Sequence, residues 1–201
     1  MMLRVGLTGS IGMGKSATAK LLREAGVPVF DSDATVHKLY APGGAAVEPV
    51  GKAFPGVVVD GAIDRRRLSE ALSANPDGFA RLEEIVHPLV SAARETFVAT
   101  QAEAGHDIVV FDVPLLFETG GDRHVDTIIV VHAPDDVRRA RVLQRPGMTA
   151  AKLDAIIARQ MDDSSKLARA DHVIETSGGL ADAGRQVDAI IKKLRARAGH
   201  S

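Results

Sequence analysis

The chain has 201 residues, of which 45% are hydrophobic and 25% are charged, as is ordinary for a folded globular protein. This length and composition exclude fibrous repeats and wholesale disorder, and they favour one domain that carries insertions. The formal net charge of −1 excludes a basic field able to hold long nucleic acid, so no nucleic-acid partner is expected.

Short β-branched runs alternate with longer helical patterns along the chain. The predicted strands are Leu3–Thr8 and residues 27–31, 108–112, 127–131 and 173–174. The predicted helices cover residues 15–25, 34–40, 89–104, 135–144, 150–160 and 180–198. Unbroken apolar strands that alternate with helices indicate an α/β fold, a doubly wound parallel sheet with helices on both faces.

Two stretches fit this sheet poorly. Residues 41–88 carry Gly-Gly, Pro-Gly, Asp-Gly and Asn-Pro pairs, which predict an inserted, mostly helical region. Residues 135–171 are rich in arginine and are interrupted by Pro146-Gly147. We therefore expect a single domain over 1–201, with its core at about 1–40, 106–134 and 171–201 and further regions at about 41–105 and 135–170.

The segment from Gly9 to Ser16 matches the phosphate-loop pattern G-x-x-x-x-G-K-[ST], with a predicted strand before it and a helix after it. Glycines let the backbone N–H groups point at phosphate oxygens, and the helix adds its positive N-terminal end. Lys15 is suited to the β- and γ-phosphates, and the Ser16 hydroxyl is suited to Mg²⁺. The loop predicts a nucleoside triphosphate site formed by Gly9, Gly12, Met13, Gly14, Lys15, Ser16 and Ala17.

A signalling GTPase would also carry D-x-x-G and N-K-x-D motifs. No aspartate here has glycine three residues later, and the single asparagine, Asn75, precedes a proline. This favours a kinase for small molecules over a nucleotide-dependent binding switch, which stays as an alternative.

Two aspartates, Asp31 and Asp33, lie at the carboxyl end of the second predicted strand, where the ends of parallel strands face a ligand crevice. Asp33 could accept a proton from an attacking hydroxyl or orient it. Asp31 is suited either to capping the next helix or to supporting magnesium through water. His37 follows Asp33 by four residues and shares its helical face, where it is either an acceptor contact or a structural histidine.

Three arginines, Arg138, Arg141 and Arg145, fall on one face of a predicted helix. Guanidinium groups gathered in this way suit a shared polyanion such as a triphosphate. The alternative is a solvated face paired with Asp135 and Asp136. We favour a segment that closes over the nucleotide and excludes water, with Arg145 as the main contact and Arg141 as the second.

These motifs together resemble the dephospho-coenzyme A kinase family, in order and over nearly the whole chain. The resemblance rests on the segment from Gly6 to Ser16, D-x-D-x-x-x-H at 31–37, His87-Pro88, D-V-P-L-L-F-E at 112–118, L-Q-R at 143–145, Gln160 and A-D-H-V-I at 170–174. It implies a helical acceptor-binding region at 41–105 and a lid at 135–170. It also implies transfer of the γ-phosphate of ATP to the ribose 3′-hydroxyl of dephospho-coenzyme A, the last step of coenzyme A synthesis.

Roles for particular residues follow from the resemblance. It implies Asp33, Lys15, Arg145 and Arg141 as catalytic residues, and Asp112 near magnesium and its waters. The implied acceptor contacts are Asp33, His37, Arg65, His87, Pro114 and Leu115, with Leu116 in the same turn.

The chain departs from the family pattern at two positions, with Ala17 where a threonine is usual and Thr176 where an asparagine is common. Another small-molecule kinase with the same loop, acting on a nucleoside monophosphate or a sugar, is the alternative enzyme. No run reaches ~18 apolar residues, so a cytoplasmic protein without a membrane partner is expected.

Overall fold

The computed structural model describes residues 2–199 of the chain. Its strands are β1 (Leu3–Thr8), β2 (Val29–Asp31), β3 (Val58–Val59), β4 (Ala62–Ile63), β5 (Ile108–Asp112), β6 (Thr127–His132) and β7 (His172–Glu175). Its helices are α1 (Lys15–Glu24), α2 (Ser32–Tyr40), α3 (Val47–Ala53), α4 (Arg65–Ser73), α5 (Gly78–Glu103), α6 (Asp135–Leu143), α7 (Ala150–Ile157), α8 (Asp163–Ala168) and α9 (Leu180–Ala198). A short 3₁₀ helix covers Gly121–His124.

The central sheet has five strands in the order β2-β5-β1-β6-β7. The pairs β1–β5, β1–β6 and β6–β7 run parallel, so no two of these strands can be joined by a tight hairpin. Strands β2 and β5 lie on one side of β1 while β6 and β7 lie on the other, so the chain crosses from one side of β1 to the other between β5 and β6. The predicted doubly wound α/β fold is confirmed, and its ligand crevice belongs at the carboxyl ends of these strands.

The chain clusters into two compact units, one formed by the residues up to Phe30 together with those from Gln101 onward, and the other by Asp31–Thr100. In the first unit, alternate residues of β6 enter two apolar clusters. Ile129 and Val131 pack in the cluster that includes residues of α1 and α9, whereas Ile128 and Val130 pack with Leu116. The strands are therefore buried on both faces, which explains their unbroken apolar sequences.

The second unit has its own apolar core. Tyr40, Val50, Phe54, Leu68 and Val86, from α2 to α5, are buried in it. A short antiparallel hairpin joins β3 to β4, and α4 begins after Asp64, whose carboxylate accepts the Arg67 N–H at 3.0 Å. The mostly helical character expected for this stretch is confirmed.

Several boundaries differ from the prediction. Helix α5 begins at Gly78 and runs through Pro88, whereas the sequence predicted a helix that begins at residue 89. A proline inside a helix removes one backbone hydrogen bond, which costs roughly 3 kcal/mol. The remaining hydrogen bonds of this 26-residue helix offset that cost. The periodicity also missed α8, because six residues are too few to display a helical repeat.

Candidate active site

The phosphate loop joins β1 to α1, and its shape depends on two glycines with positive φ, +79° at Gly12 and +95° at Gly14. A Cβ on Gly12 would lie 2.5 Å from the Val142 side chain, and one on Gly14 would lie 3.1 Å from the Thr176 hydroxyl oxygen. Glycine is thus required at both positions by backbone conformation and by space. The loop has the left-handed turns that direct successive N–H groups toward an anion.

The strand register brings a carboxylate to the helix that follows the loop. Asp112 ends β5 and is the register partner of Leu7, one residue before the end of β1. The Lys15 ammonium donates a hydrogen bond to the Asp112 carboxylate, and the two side chains are only 16% and 6% exposed. Lys15, which was predicted to bind phosphate, and Asp112, which was predicted to lie near magnesium, are therefore in direct contact.

The remaining loop residues differ in what they present. Ser16 is exposed in the first turn of α1, whereas Ala17 lines a cavity described below. The Met13 side chain is buried in the core and its sulfur accepts the Ala133 N–H, so only the backbone of Met13 can meet a nucleotide. A Cβ on Gly9 would lie 2.7 Å from the Val131 carbonyl oxygen, which explains the glycine there.

The three arginines expected on one face have three different environments. Arg138 is buried, and its guanidinium donates to the Asp135 carboxylate and, at 2.7 Å, to Asp163. The expectation that Arg138 shares a triphosphate with the other two is therefore wrong, because carboxylates already neutralise it. The alternative of a paired face holds for this residue.

Arg141 and Arg145 border the loop instead. The Arg141 guanidinium donates to the Thr176 hydroxyl at 2.9 Å and to the Thr176 carbonyl at 2.7 Å. Arg145 lies beyond the end of α6, is exposed, and has no side-chain partner within residues 2–199. Of the two, Arg145 is the guanidinium free to bind an added anion.

A cavity of about 280 Å³ opens beside the second half of the loop. Its walls combine cationic, apolar and backbone groups, contributed by Gly12, Gly14, Ala17, Thr18, Leu21, Arg141, Arg145, Thr176, Gly179, Leu180 and Ala183. An apolar pocket with a few polar groups beside a phosphate loop suits a flat heterocyclic ring.

Thr176 is a residue whose role the sequence did not show. Its hydroxyl donates to the Met13 carbonyl at 2.7 Å and accepts from Arg141, so it joins the loop to α6. The sequence marked Thr176 only as a departure from the family pattern, at a position just after β7 at the carboxyl edge of the sheet.

The acceptor contacts expected in the second unit lie on α2, α4 and α5. Asp33 and His37 are both exposed on α2, one turn apart. The Asp31 carboxylate caps this helix by accepting the Ala34 N–H at 2.8 Å, so the capping alternative is confirmed. The Arg65 guanidinium lies 5.9 Å from the ring centre of Tyr40, the last residue of α2.

The three arginines at 65–67 have different partners. Arg66 pairs with Glu70 at 2.6 Å, and Arg67 donates to the Gly56 carbonyl at 3.2 Å, whereas Arg65 has no ion pair within the described part of the chain. Burial raises the pKa of the Tyr40 hydroxyl, and the Arg65 charge partly offsets that rise. Of the three arginines, Arg65 is therefore the one available to bind an anionic group of a ligand.

The other expected acceptor residues differ in exposure. His87 is exposed on α5. Pro114 accepts a hydrogen bond from the Thr8 hydroxyl at 3.1 Å, and Leu115 is 41% exposed. Leu116 is only 1% exposed and packs in the core, so the expectation that it lines an acceptor groove is wrong.

Side chains in and just before α8 hold the first half of the loop, a contact that the sequence did not predict. The Ser10 hydroxyl donates to Asp163 at 2.6 Å, and the Ile11 N–H donates to the Gln160 side-chain oxygen at 3.1 Å. Gln160 was one of the residues that carried the family resemblance. Its contact with Ile11 spans 149 positions of sequence, so no local pattern predicts it.

The loop glycines Gly12 and Gly14 line the same cavity as Arg141 and Arg145. Because loop N–H groups and guanidinium groups both bind phosphate oxygens, the site suits a polyphosphate. The fold and this site define a P-loop kinase. Among residues 2–199, no helix combines the length and the apolar character that crossing a membrane requires.

Comparisons with known proteins identify the kinase more closely. A family model for dephospho-CoA kinase matches residues 3–182. The dephospho-CoA kinase of Mesorhizobium japonicum is 52% identical over 198 residues, which cover 98% of this chain and 100% of that protein. The chain therefore belongs to the dephospho-CoA kinase family.

Solved structures agree with this fold. A crystal structure of a protein from Thermus thermophilus is similar at a TM-score of 0.81 and 34% identity, covering 96% of this chain and 98% of that one. A dephospho-CoA kinase from Campylobacter jejuni is similar at a TM-score of 0.72 and 23% identity, with the same coverage of each chain.

Proposed function

We propose that the protein transfers the γ-phosphate of ATP to the ribose 3′-hydroxyl of dephospho-coenzyme A, which completes coenzyme A. The observation that carries the acceptor is the family match over residues 3–182. The phosphate loop with its neighbouring cavity supports the nucleotide half of the reaction. The expected cytoplasmic location stays a prediction.

The nucleotide roles are assigned from the first unit. The backbone N–H groups from Gly12 to Ala17 would bind the phosphates, while Lys15 exchanges its bond with Asp112 for the β- and γ-phosphates. Arg145, which is exposed and unpaired within residues 2–199, would neutralise the transferring group. The ring of the base would occupy the apolar end of the cavity, near Leu180.

The donor set also fits Mg²⁺. This ion takes octahedral oxygen ligands, and kinases hold it with few protein groups because the substrate phosphates and waters supply the rest. Ser16 and Asp112 would hold it here, and no larger cluster of acidic or histidine side chains occurs among the described residues. When bound, the ion neutralises charge on the phosphates.

On the acceptor side, Asp33 would orient the 3′-hydroxyl or take its proton, with His37, Arg65, His87, Pro114 and Leu115 as binding contacts. We expect Asp33→Asn to lower turnover by at least ~10²-fold while ATP binding survives, because the variant keeps the shape and loses the charge. Turnover and ADP affinity are measured separately, and Asp60→Asn, at an exposed turn of the same unit, is the matched control. Wild-type turnover in Asp33→Asn would leave Asp33 without a role in transfer.

The function is tested by incubating the protein with ATP and Mg²⁺ and one acceptor at a time. The acceptors are dephospho-coenzyme A, a nucleoside monophosphate and a sugar. We expect a product one phosphoryl group heavier only with dephospho-coenzyme A. Product from one of the other acceptors, and none from dephospho-coenzyme A, would contradict the proposal, and slow ATP hydrolysis without any product would favour a binding switch.

A further inference from the structure

A buried lysine lies behind the first half of the phosphate loop, and no role assigned above uses it. The Lys166 side chain is 1% exposed, and its ammonium lies 3.0 Å from the Glu118 carboxylate. The same ammonium donates a hydrogen bond to the Ser10 hydroxyl at 3.2 Å. Lys166 thus joins α8 both to the segment after β5 and to the loop.

Stability alone does not account for this lysine. Removing an ammonium from water is costly, and an apolar side chain of similar volume in such a place often gives equal or greater stability. The best-attested use of a buried charge is to fix one arrangement of the groups around it. The hydrogen bonds of Lys166 show which groups it holds in place.

The bonds converge on the Ser10 hydroxyl. That oxygen accepts from Lys166 and donates to Asp163 at 2.6 Å, so the side chain is held from two directions. The second Asp163 oxygen accepts from Arg138 at 2.7 Å, which fixes the carboxylate in turn. The Ser10 carbonyl accepts the Met13 N–H at 3.2 Å, so the placement of Ser10 determines the turn that leads to Gly14.

Glu118 is built into the same arrangement. Its carboxylate accepts the Met161 N–H at 2.8 Å as well as the Lys166 ammonium. Burial acts to raise the pKa of Glu118, but these hydrogen bonds, with one from its own backbone, bring it below its usual range. Because this charge cancels that of Lys166, the lysine acts on the loop through geometry more than through a net field.

We propose that Lys166 is a positioning residue for phosphoryl transfer, which holds the loop through Ser10 in the shape that presents its N–H groups to the phosphates. The proposal rests on the proposed function only in taking the loop as a nucleotide site. A displacement of about 1 Å in such groups can cost ~10²-fold in rate. None of the cluster residues is a proposed acceptor contact, so the KM for the acceptor is expected to stay unchanged.

The test compares Lys166→Met, Ser10→Ala and the double variant. Methionine fills similar space without the ammonium, and alanine removes only the hydroxyl. We expect Lys166→Met to weaken ADP binding about tenfold and to lower kcat by ~10–10²-fold. Ser10→Ala should have a smaller effect in the same direction. The double variant should lose no more than Lys166→Met, because a residue that acts through Ser10 has nothing further to lose.

Arg169→Met is the matched control, since Arg169 follows the same helix but pairs with Asp122 at 2.6 Å and lies over the Phe117 ring. It should keep wild-type affinity and kcat. A further variant, Lys166→Met with Glu118→Gln, removes the carboxylate that Lys166→Met leaves unpaired. The losses should persist in it.

Three results would overturn the proposal. They are wild-type ADP affinity in Lys166→Met, additive losses in the double variant, and recovery when Glu118 is neutralised. Ser10→Ala creates no unpaired buried charge, because Asp163 keeps Arg138 and Lys166 keeps Glu118. If Lys166→Met does not fold, wild-type ADP affinity in Ser10→Ala therefore overturns the proposal as well. Calorimetric ADP binding needs no acceptor, so this test stands even if dephospho-coenzyme A proves to be the wrong substrate.

Discussion

The two halves of the phosphate loop are held by different means. The leading half (Gly9–Ile11) is held by side chains that lie about 150 residues later in the sequence. The Ser10 hydroxyl binds Asp163, and the Ile11 N–H binds Gln160. The trailing half (Gly12–Gly14) is shaped by two positive-φ glycines packed against Val142 and Thr176. The trailing half thus carries a local glycine signature in addition to its contact with Thr176, whereas the leading half has no such signature and depends on polar contacts made by the completed fold.

The largest effect is expected beside the trailing half. Arg145→Ala should lower turnover by ~10²–10⁴-fold with unchanged stability, because Arg145 is exposed and has no partner among residues 2–199 to leave behind. Steady-state kinetics and thermal unfolding measure the two quantities. Arg159→Ala, an exposed arginine in the same segment, should change neither. Unchanged turnover in Arg145→Ala would remove this arginine from the reaction.

Substituting a glycine of the trailing half should cost stability and ADP affinity together. In Gly12→Ala, the left-handed backbone costs roughly 1–2 kcal/mol and the contact with Val142 adds about 1–3 kcal/mol. Gly26→Ala is the control, since its φ is +77° but no atom of the described residues lies within 4 Å of the added Cβ. Equal losses of unfolding free energy in the two variants, measured with denaturant, would show that packing against Val142 does not restrict the loop.

A smaller effect is expected where the trailing half meets Thr176. Thr176→Val removes the hydroxyl that binds the Met13 carbonyl and Arg141, which should cost about 1–3 kcal/mol and weaken ADP binding several-fold. Thr127→Val is the control, because the Thr127 hydroxyl is buried and has no hydrogen-bond partner among residues 2–199. Its loss should be neutral or stabilising. A Thr176→Val protein as stable as Thr127→Val would contradict the assigned contacts.

The smallest effect concerns pH and the polar cluster behind the leading half. The pKa of Glu118 is lower in the folded protein than its ordinary value, so Glu118 contributes stability above that value and loses it as pH falls through the folded pKa. Glu118→Gln should therefore flatten the fall in unfolding free energy on acidification below about pH 4.5. Curves of identical slope for the two proteins would show that this carboxylate gains nothing from its partners.

The sequence predicted the trailing half because its requirements are local. Gly12, Gly14, Lys15 and Ser16 form a contiguous motif between a strand and a helix, and each follows from the backbone that a phosphate demands. The sheet was predictable for a similar reason, since strands buried on both faces read as apolar runs.

The leading half could not be predicted in this way. Lys166 and Asp163 lie in a six-residue helix without a visible period, and nothing local shows that they contact Ser10. Spacing also misplaced Arg138, because one helical face does not determine which carboxylates fold against it. Long-range polar pairing is decided by tertiary structure, so the resemblance could name Gln160 without saying what it binds.

The most direct test of the account is a crystal structure with a non-hydrolysable ATP analogue, Mg²⁺ and dephospho-coenzyme A bound together. We expect phosphates on the N–H groups from Gly12 to Ala17, with Lys15 turned from Asp112 to the phosphates. We also expect the ribose 3′-hydroxyl about 3–3.5 Å from the γ-phosphorus and within hydrogen-bond reach of Asp33. An acceptor bound elsewhere, with the Asp33 carboxylate in solvent and no sugar facing the triphosphate, would contradict this account.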